Sequence, residues 1–242
     1  MFNIGLIINV LFPSKCPVCK NNSDIFLHDP FCTACWAKIK PYIGAACPVC
    51  GEPAVSNYAS VCDSCLKNKQ PFTKVSFYGI YEGVLKEAIH RFKFCSARKL
   101  AAPLGAFLLH AALKNAMLKN TDCIVPVPLH KASLIERGFN QTTALAAVLS
   151  KAGGMPILNN VLIKNRATMP QYSLNRNERQ KNLKGAFSSS EEVKGLRVLL
   201  VDDVVTTGAT ARECARTLLE QGAADVCVAA LARSAINTTK QS

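Results

Sequence analysis

Eight of the twelve cysteines stand in four C-x-x-C pairs within the first 65 residues: Cys16/Cys19, Cys32/Cys35, Cys47/Cys50 and Cys62/Cys65. The pairs are separated by 12, 11 and 11 residues. A C-x-x-C turn aims two sulfurs at one ion, and tetrahedral zinc takes four thiolates, so each ion needs two such turns joined by a short ribbon. Eight ligands imply two Zn²⁺. CPVCK…CTAC is echoed by CPVCG…CDSC, which reads as an internal duplication. Sequential pairing, first with second and third with fourth, is the simplest arrangement, although an interleaved cross-brace uses the same ligands. Closed four-thiolate sites have no open position for chemistry, so the expected role of both ions is structural. Cys95, Cys123, Cys214 and Cys227 stand singly in apolar contexts and read as packing residues. Adjacent pairs of this kind suit metal rather than disulfides, which points to a reducing, cytoplasmic setting.

With 242 residues, 49% of them hydrophobic, the chain has room for one larger domain beside the cysteine module. The expected division is a double zinc ribbon with a short N-terminal apolar helix over 1–70 and a second domain over 71–242. The opening MFNIGLIINVLF lacks a basic start and is too short to span a bilayer. No later segment reads as a membrane span.

Beyond Pro71, KVSFYGIY reads as a strand, VLKEAIHRFKF as a helix, and Leu100 to Met117 as a second helix. CIVPVP and ILNNVLI are strand candidates flanking a helix through QTTALAAVLS; LRVLLV, TARECARTLLEQG and DVCVAALA read as strand, helix and strand. Strongly apolar strands alternating with helices predict an α/β fold, a mostly parallel sheet covered on both faces. Ligands of such sheets sit beyond the carboxyl ends of the strands.

That rule singles out VLLVDDVVTTGAT, residues 198–210. Asp202 and Asp203 fall at the end of a central strand, and the amides of Thr206 to Thr210 lead into a helix N-terminus, where free N–H groups favour an anion. Threonine hydroxyls add donors, and Gly208 permits close backbone approach. The two carboxylates suit vicinal hydroxyls and a divalent ion reached through water. Phosphate on one side and a diol on the other describe a ribose 5-phosphate. A receiver-domain ion site would place such a pair near the domain start, and a plain N-cap needs only one acid.

The net charge of +13 is uneven: +3 over residues 1–75, +10 over 76–195 and zero over 196–242. Such an excess suits a polyphosphate ligand or a nucleic acid. The segment 164–184, with Lys164, Arg166, Arg176, Arg179, Lys181 and Lys184, reads as a basic lid or loop. No residue stands out as a general base.

VLLVDDVVTTGAT resembles the phosphoribosyl-pyrophosphate (PRPP) signature of type I phosphoribosyltransferases. The chain as a whole resembles the ComF/GntX family of competence-associated phosphoribosyltransferase-like proteins. The matching pieces, in order, are LFPSKCPVC, the four cysteine pairs, IVPVPLH, RGFNQ (137–141), PQYSL…R…N…GAF (170–187) and the PRPP loop. The resemblance implies a type I phosphoribosyltransferase-like sheet behind a double zinc ribbon, holding PRPP with Mg²⁺. It assigns the ribose hydroxyls and Mg²⁺ to Asp202 and Asp203, and the 5-phosphate to Thr206, Thr207, Gly208, Ala209 and Thr210. Val127, Pro128, Leu129 and His130 would hold pyrophosphate. Lys131, Arg137, Asn140, Gln141, Gln171 and Arg179 would supply lid and basic contacts, with Asn182 beside them. Where the family often carries arginine ahead of RGFNQ, this chain has Lys131, Ala132, Ser133 and Ile135.

Two functions follow from the resemblance. One is a Mg²⁺-dependent glycosyltransferase using PRPP, in DNA uptake or nucleotide-related metabolism, its acceptor unspecified. Its reaction would pass through an oxocarbenium-like state as pyrophosphate leaves. The other is a non-catalytic competence factor that handles single-stranded DNA, with the fold as scaffold or sensor. A competence protein or helicase would be the partner in uptake.

Overall fold

The computed structural model describes residues 15–21, 31–54, 57–94, 97–166 and 183–235. The expected N-terminal helix, Cys95, Gln171, Arg179 and Asn182 lie outside the described residues.

Four parallel strands form the central sheet: β1 (Val75–Ile80), β2 (Cys123–Pro126), β5 (Arg197–Val205) and β6 (Asp225–Arg233), in the order β1-β6-β5-β2. A separate antiparallel ribbon joins β3 (Leu162–Lys164) to β4 (Phe187–Ser189). The sheet is apolar on both faces because each strand alternates between two cores. Leu199 and Val201 of β5 join one core, and Val198 and Leu200 join the other.

The first core is covered by α3 (Gly83–Phe94), α4 (Ala101–Lys114) and α6 (Gln141–Gly153), which bury Ile89 and Phe92, Leu104 and Leu108, and Leu145 and Leu149. Close approach of α4 to α6 depends on Gly105, where a Cβ would lie 2.5 Å from Val148. On the other face, α7 (Ala209–Glu220) buries Ala211, Cys214, Ala215 and Leu218.

Among its described residues, the cysteine module carries two short helices, α1 (Thr33–Trp36) and α2 (Asp63–Lys67). Cys16, Cys19, Cys32 and Cys35 form one cluster, and Cys47, Cys50, Cys62 and Cys65 the other, with sulfurs in each within 4.8 Å of one another. Pairing is therefore sequential. Cys19 and Cys32 sulfurs lie 3.6 Å apart, as do those of Cys50 and Cys62, close to the edge of about 3.8 Å in a thiolate tetrahedron around zinc. The donor sets fit two structural Zn²⁺. Cys16, Cys32 and Cys35 belong to the first core beside Trp36, whereas Val49 and Cys50 pack on the second, where the Val75 amide donates to the Val49 carbonyl at 2.8 Å.

Three local expectations are revised. The ILNNVLI stretch is not one strand: Ile157 makes a single bridge to Ile124, and β3 begins afresh at Leu162 after Asn159 and Asn160 break the run. A helix α5 (Lys131–Arg137) follows β2 after the loop 127–130, capped by His130 and ended by Gly138. Of the single cysteines, Cys123 and Cys214 are buried as expected, while Cys227 is only half-buried. Among the described residues, no helix is long and apolar enough to cross a membrane.

Candidate functional site

The chain leaves β2 toward the outer edge of the sheet, where Leu158 donates to the Ile124 carbonyl at 2.9 Å. From β5 it turns the opposite way, through α7 to β6. The carboxyl ends of β2 and β5 are thus the switch point at which a parallel sheet opens a crevice. β2 stops at Pro126, level with Val201, while β5 runs on to Val205. Asp202 and Asp203 therefore stand past the end of β2, inside β5.

Adjacent strand residues face opposite ways, so the two aspartates divide between the faces. Asp203 faces α3 and α6. Its Oδ1 pairs with Lys93 Nζ at 2.8 Å, and its Oδ2 accepts from Gln141 Nε2 at 2.9 Å. Burial works against the Lys93 ammonium, but the Asp203 charge and hydrogen bond outweigh it and raise the lysine pKa. The Oε1 of Gln141 has no hydrogen-bond partner, the one such buried side-chain atom among the described residues. An incoming hydroxyl donor would satisfy it.

Asp202 faces α7 and β3. Its Oδ1 accepts the Asp203 amide at 2.8 Å. Burial first, and then the charge of Asp203, push its carboxyl up to about 7, against the pull of Lys93 and Lys164. Burial likewise lowers the Lys164 ammonium, assisted by Arg137 and Arg166 and opposed by Cys214 and Asp202. Lys164 and Arg137 thus act electrostatically on the same locality.

After Val205 the chain passes through Thr206 and Thr207 to Gly208, the N-cap of α7, at φ +75°. A side chain there would be strained and would crowd the Arg212 guanidinium at 3.2 Å. Asp202, Thr206, Gly208, Ala209 and Thr210 line a small hollow at this helix N-terminus.

The loop 127–130 follows β2, the strand beside β5. Val127 donates its amide to the Val201 carbonyl at 2.9 Å, and its own carbonyl accepts from Asn140 Nδ2 and Thr142 Oγ1 at 3.2 and 2.7 Å. Asn140 also caps α6 through its Oδ1, so it positions this loop from behind. Pro128 and Leu129 are half-buried, and His130 Nδ1 accepts the Ala132 amide at 3.3 Å. Lys131 is exposed on α5, and the Arg137 guanidinium stacks 4.6 Å from the Phe94 ring. The segment 167–182 lies outside the described residues, but its flanks are joined by the β3–β4 ribbon.

Asp203 and Gln141 thus lie toward the α3/α6 face and Asp202 with the 206–210 hollow toward the α7 face, all near the carboxyl ends of β2 and β5, where the 127–130 loop also begins. Lys93 is the principal residue that sequence reasoning missed.

Comparison with known proteins places a double zinc ribbon domain over residues 7–66 and a phosphoribosyl transferase domain over residues 136–241. The chain is similar to competence protein F of Haemophilus influenzae, with 36% identity over 232 residues covering 92% of this chain and 98% of that one. It is 34% identical to the DNA utilization protein YhgH of Salmonella typhimurium over 92% of this chain and 98% of that one. Against competence protein ComFC of Bacillus subtilis the identity is 30%, covering 84% of each chain.

Proposed function

The chain belongs to the family that includes competence protein F, YhgH and ComFC, and on that footing we propose that its crevice binds PRPP as Mg²⁺ complex for phosphoribosyl chemistry. The observation that carries the reading is the Asp202–Asp203 pair near the carboxyl end of β5 followed, past Val205, by the Thr206–Thr210 loop at the start of α7. The loop amides and hydroxyls would hold the 5-phosphate. Asp203, with the unsatisfied Oε1 of Gln141, would accept from the ribose hydroxyls. The 127–130 loop, backed by Asn140, would take the pyrophosphate, with Lys131 and Arg137 supplying positive charge nearby.

The donor set fits Mg²⁺: hard carboxylate oxygens of Asp202 and Asp203 at the rim of an oxygen-rich ligand, meeting the ion through water. When bound, the ion supplies charge stabilisation on the leaving pyrophosphate. The chain's own part is positioning the sugar between the two loops and excluding water from the anomeric carbon.

Titration calorimetry of the zinc-replete protein with PRPP tests this. The expected result is saturable binding at one site that requires Mg²⁺. A folded protein with no heat of binding in either condition would overturn it.

A second reading, single-stranded DNA handling, is favoured by one surface feature. Arg137 lies over Phe94 and Arg98 over Phe139, at 4.6 and 5.1 Å, with exposed Lys99 adjacent to Arg98 in the chain and exposed Lys131 on the same helix as Arg137, and Phe94 itself is 55% exposed. Guanidinium–aromatic pairs next to lysines suit a backbone that carries phosphates and bases together. Fluorescence anisotropy with a labelled oligonucleotide should give an affinity that falls at least about tenfold between low and moderate salt. A salt-independent affinity would count against it.

A further inference from the structure

Arg233 ends β6, level with Val205 on one side and Ile80 on the other. An arginine in that register, only 2% exposed, has to be fully engaged, because a buried guanidinium without partners is prohibitive. Its Nη1 donates to the carbonyls of Val205, at 3.1 Å, and of Thr206. Its Nε donates to the carbonyl of Cys50 at 3.3 Å, and its Nη2 pairs with Glu52. One planar fork therefore joins two segments far apart in sequence. The first is the Cys47–Glu52 turn that presents two thiolates of the second cysteine cluster, and the second is the entry to the 206–210 loop.

A second link runs parallel to it. Arg212 of α7 donates to the Thr207 carbonyl at 2.9 Å and reaches Gln70 Oε1 at 3.5 Å. The cluster and the loop also share a cavity of about 490 Å³ lined by Cys62, Phe72, Thr207 and Arg212.

The direction of these bonds matters. In a trans peptide the carbonyl and the following amide point opposite ways. Turning the carbonyls of Val205 and Thr206 onto Arg233 aims the amides of Thr206 and Thr207 away from it. The hollow lined by Asp202, Thr206, Gly208 and Thr210 does not include Arg233, so the arginine braces the loop from behind.

We propose that Arg233 is a positioning residue through which the second zinc site sets the shape of the 206–210 loop, so that metal occupancy there and anion affinity at the loop are coupled. The anion part rests on the phosphate reading of the loop; the mechanical coupling does not. Zinc fixes the Cys47–Cys50 turn, the turn fixes the Cys50 carbonyl and Glu52, and these hold the fork that orients the loop. Coupling is reciprocal, so a ligand seated on the loop should also slow release of the second zinc. The first cluster sits in the opposite core beside Trp36 and Ile39, and should be uncoupled. Lysine cannot replace the fork, because a single ammonium cannot serve both segments in plane.

Amide exchange over residues 205–210, followed by mass spectrometry on the full chain, reads the loop directly. Glu52→Gln and Arg233→Lys should keep two zinc ions per chain and speed exchange there about tenfold. Cys62→Ser should do at least as much, while Cys19→Ser, at the first site, should leave the segment unchanged. Wild-type exchange in both Glu52→Gln and Arg233→Lys would overturn the proposal, as would equal loosening by Cys19→Ser. PRPP titration of the same proteins separates the two readings. If the wild type binds, Glu52→Gln should weaken binding about tenfold. If the wild type does not bind, the phosphate reading fails by itself, and the exchange data still decide the coupling.

Discussion

Asp203→Asn is expected to lower PRPP affinity about 100-fold while sparing the fold, whereas Lys93→Met is expected to cost the fold about 3 kcal/mol. The asymmetry comes from exposure. The Asp203 side chain keeps only 5% of its surface and the Lys93 side chain 20%. Without Lys93, a carboxylate remains in the interior with Gln141 as its one side-chain donor among the described residues, beside Asp202, a second acid. Breaking a buried pair from that side leaves the charge uncompensated. Without the Asp203 charge, the longer lysine can slide its ammonium toward water, and the carbonyl of the substituted amide can still accept from Gln141. What the amide cannot supply is a charged acceptor for hydroxyls, and two charge-assisted bonds are worth about two orders of magnitude. Urea denaturation of both variants and of the double variant checks the stability half. The double variant should recover most of the loss seen in Lys93→Met alone. Stability of Lys93→Met within about 1 kcal/mol of wild type would show the pair to be a surface contact. Unchanged PRPP affinity in Asp203→Asn would remove Asp203 from the site.

Much of this arrangement was legible in the sequence, because its strongest signals are local. Four cysteine pairs at near-equal spacing fix two tetrahedral sites, and only the choice between sequential and interleaved pairing needed coordinates. The β-strand runs and the sharp change at VLLVDDVVTTGAT likewise located the sheet and the loop. Long-range pairings were not legible. Lys93 lies within an ordinary amphipathic helix, and nothing in VLKEAIHRFKF distinguishes it from a solvated lysine until α3 is laid on β5. Arg233 is similar: its partner Glu52 is 181 residues away, and an arginine after an apolar strand reads as a strand end. Two short elements were missed because they lack a pattern. Phe187–Ser189 is a three-residue strand with two serines, and Lys131–Arg137 buries no residue of its own. His130 shows the same difficulty on a smaller scale, since the lone histidine at the loop is the N-cap of α5. The sequence also suggested that the aspartates close their strand, but β5 continues to Val205. That extension sends the two side chains to opposite faces and gives them different chemistry.

Asp202→Asn is expected to stabilise the protein at neutral pH, by an amount that grows as pH rises. Burial and the neighbouring Asp203 charge push the Asp202 carboxyl up to about 7, whereas in the unfolded chain it titrates near 3.9. Between these values the folded state binds the extra proton, so stability falls as pH rises toward 7 and levels off above it. Asparagine carries no charge to bury, and its side-chain carbonyl can still accept the Asp203 amide. The stability gap between variant and wild type should therefore widen by about 2 kcal/mol between about pH 5.5 and pH 8. Lys93, Lys164, Asp203 and Cys214 all interact electrostatically with this carboxyl, and each is present in both proteins, as are the two cysteine clusters. The difference between paired urea titrations therefore isolates Asp202. A gap that stays constant with pH would mean that the carboxyl titrates normally.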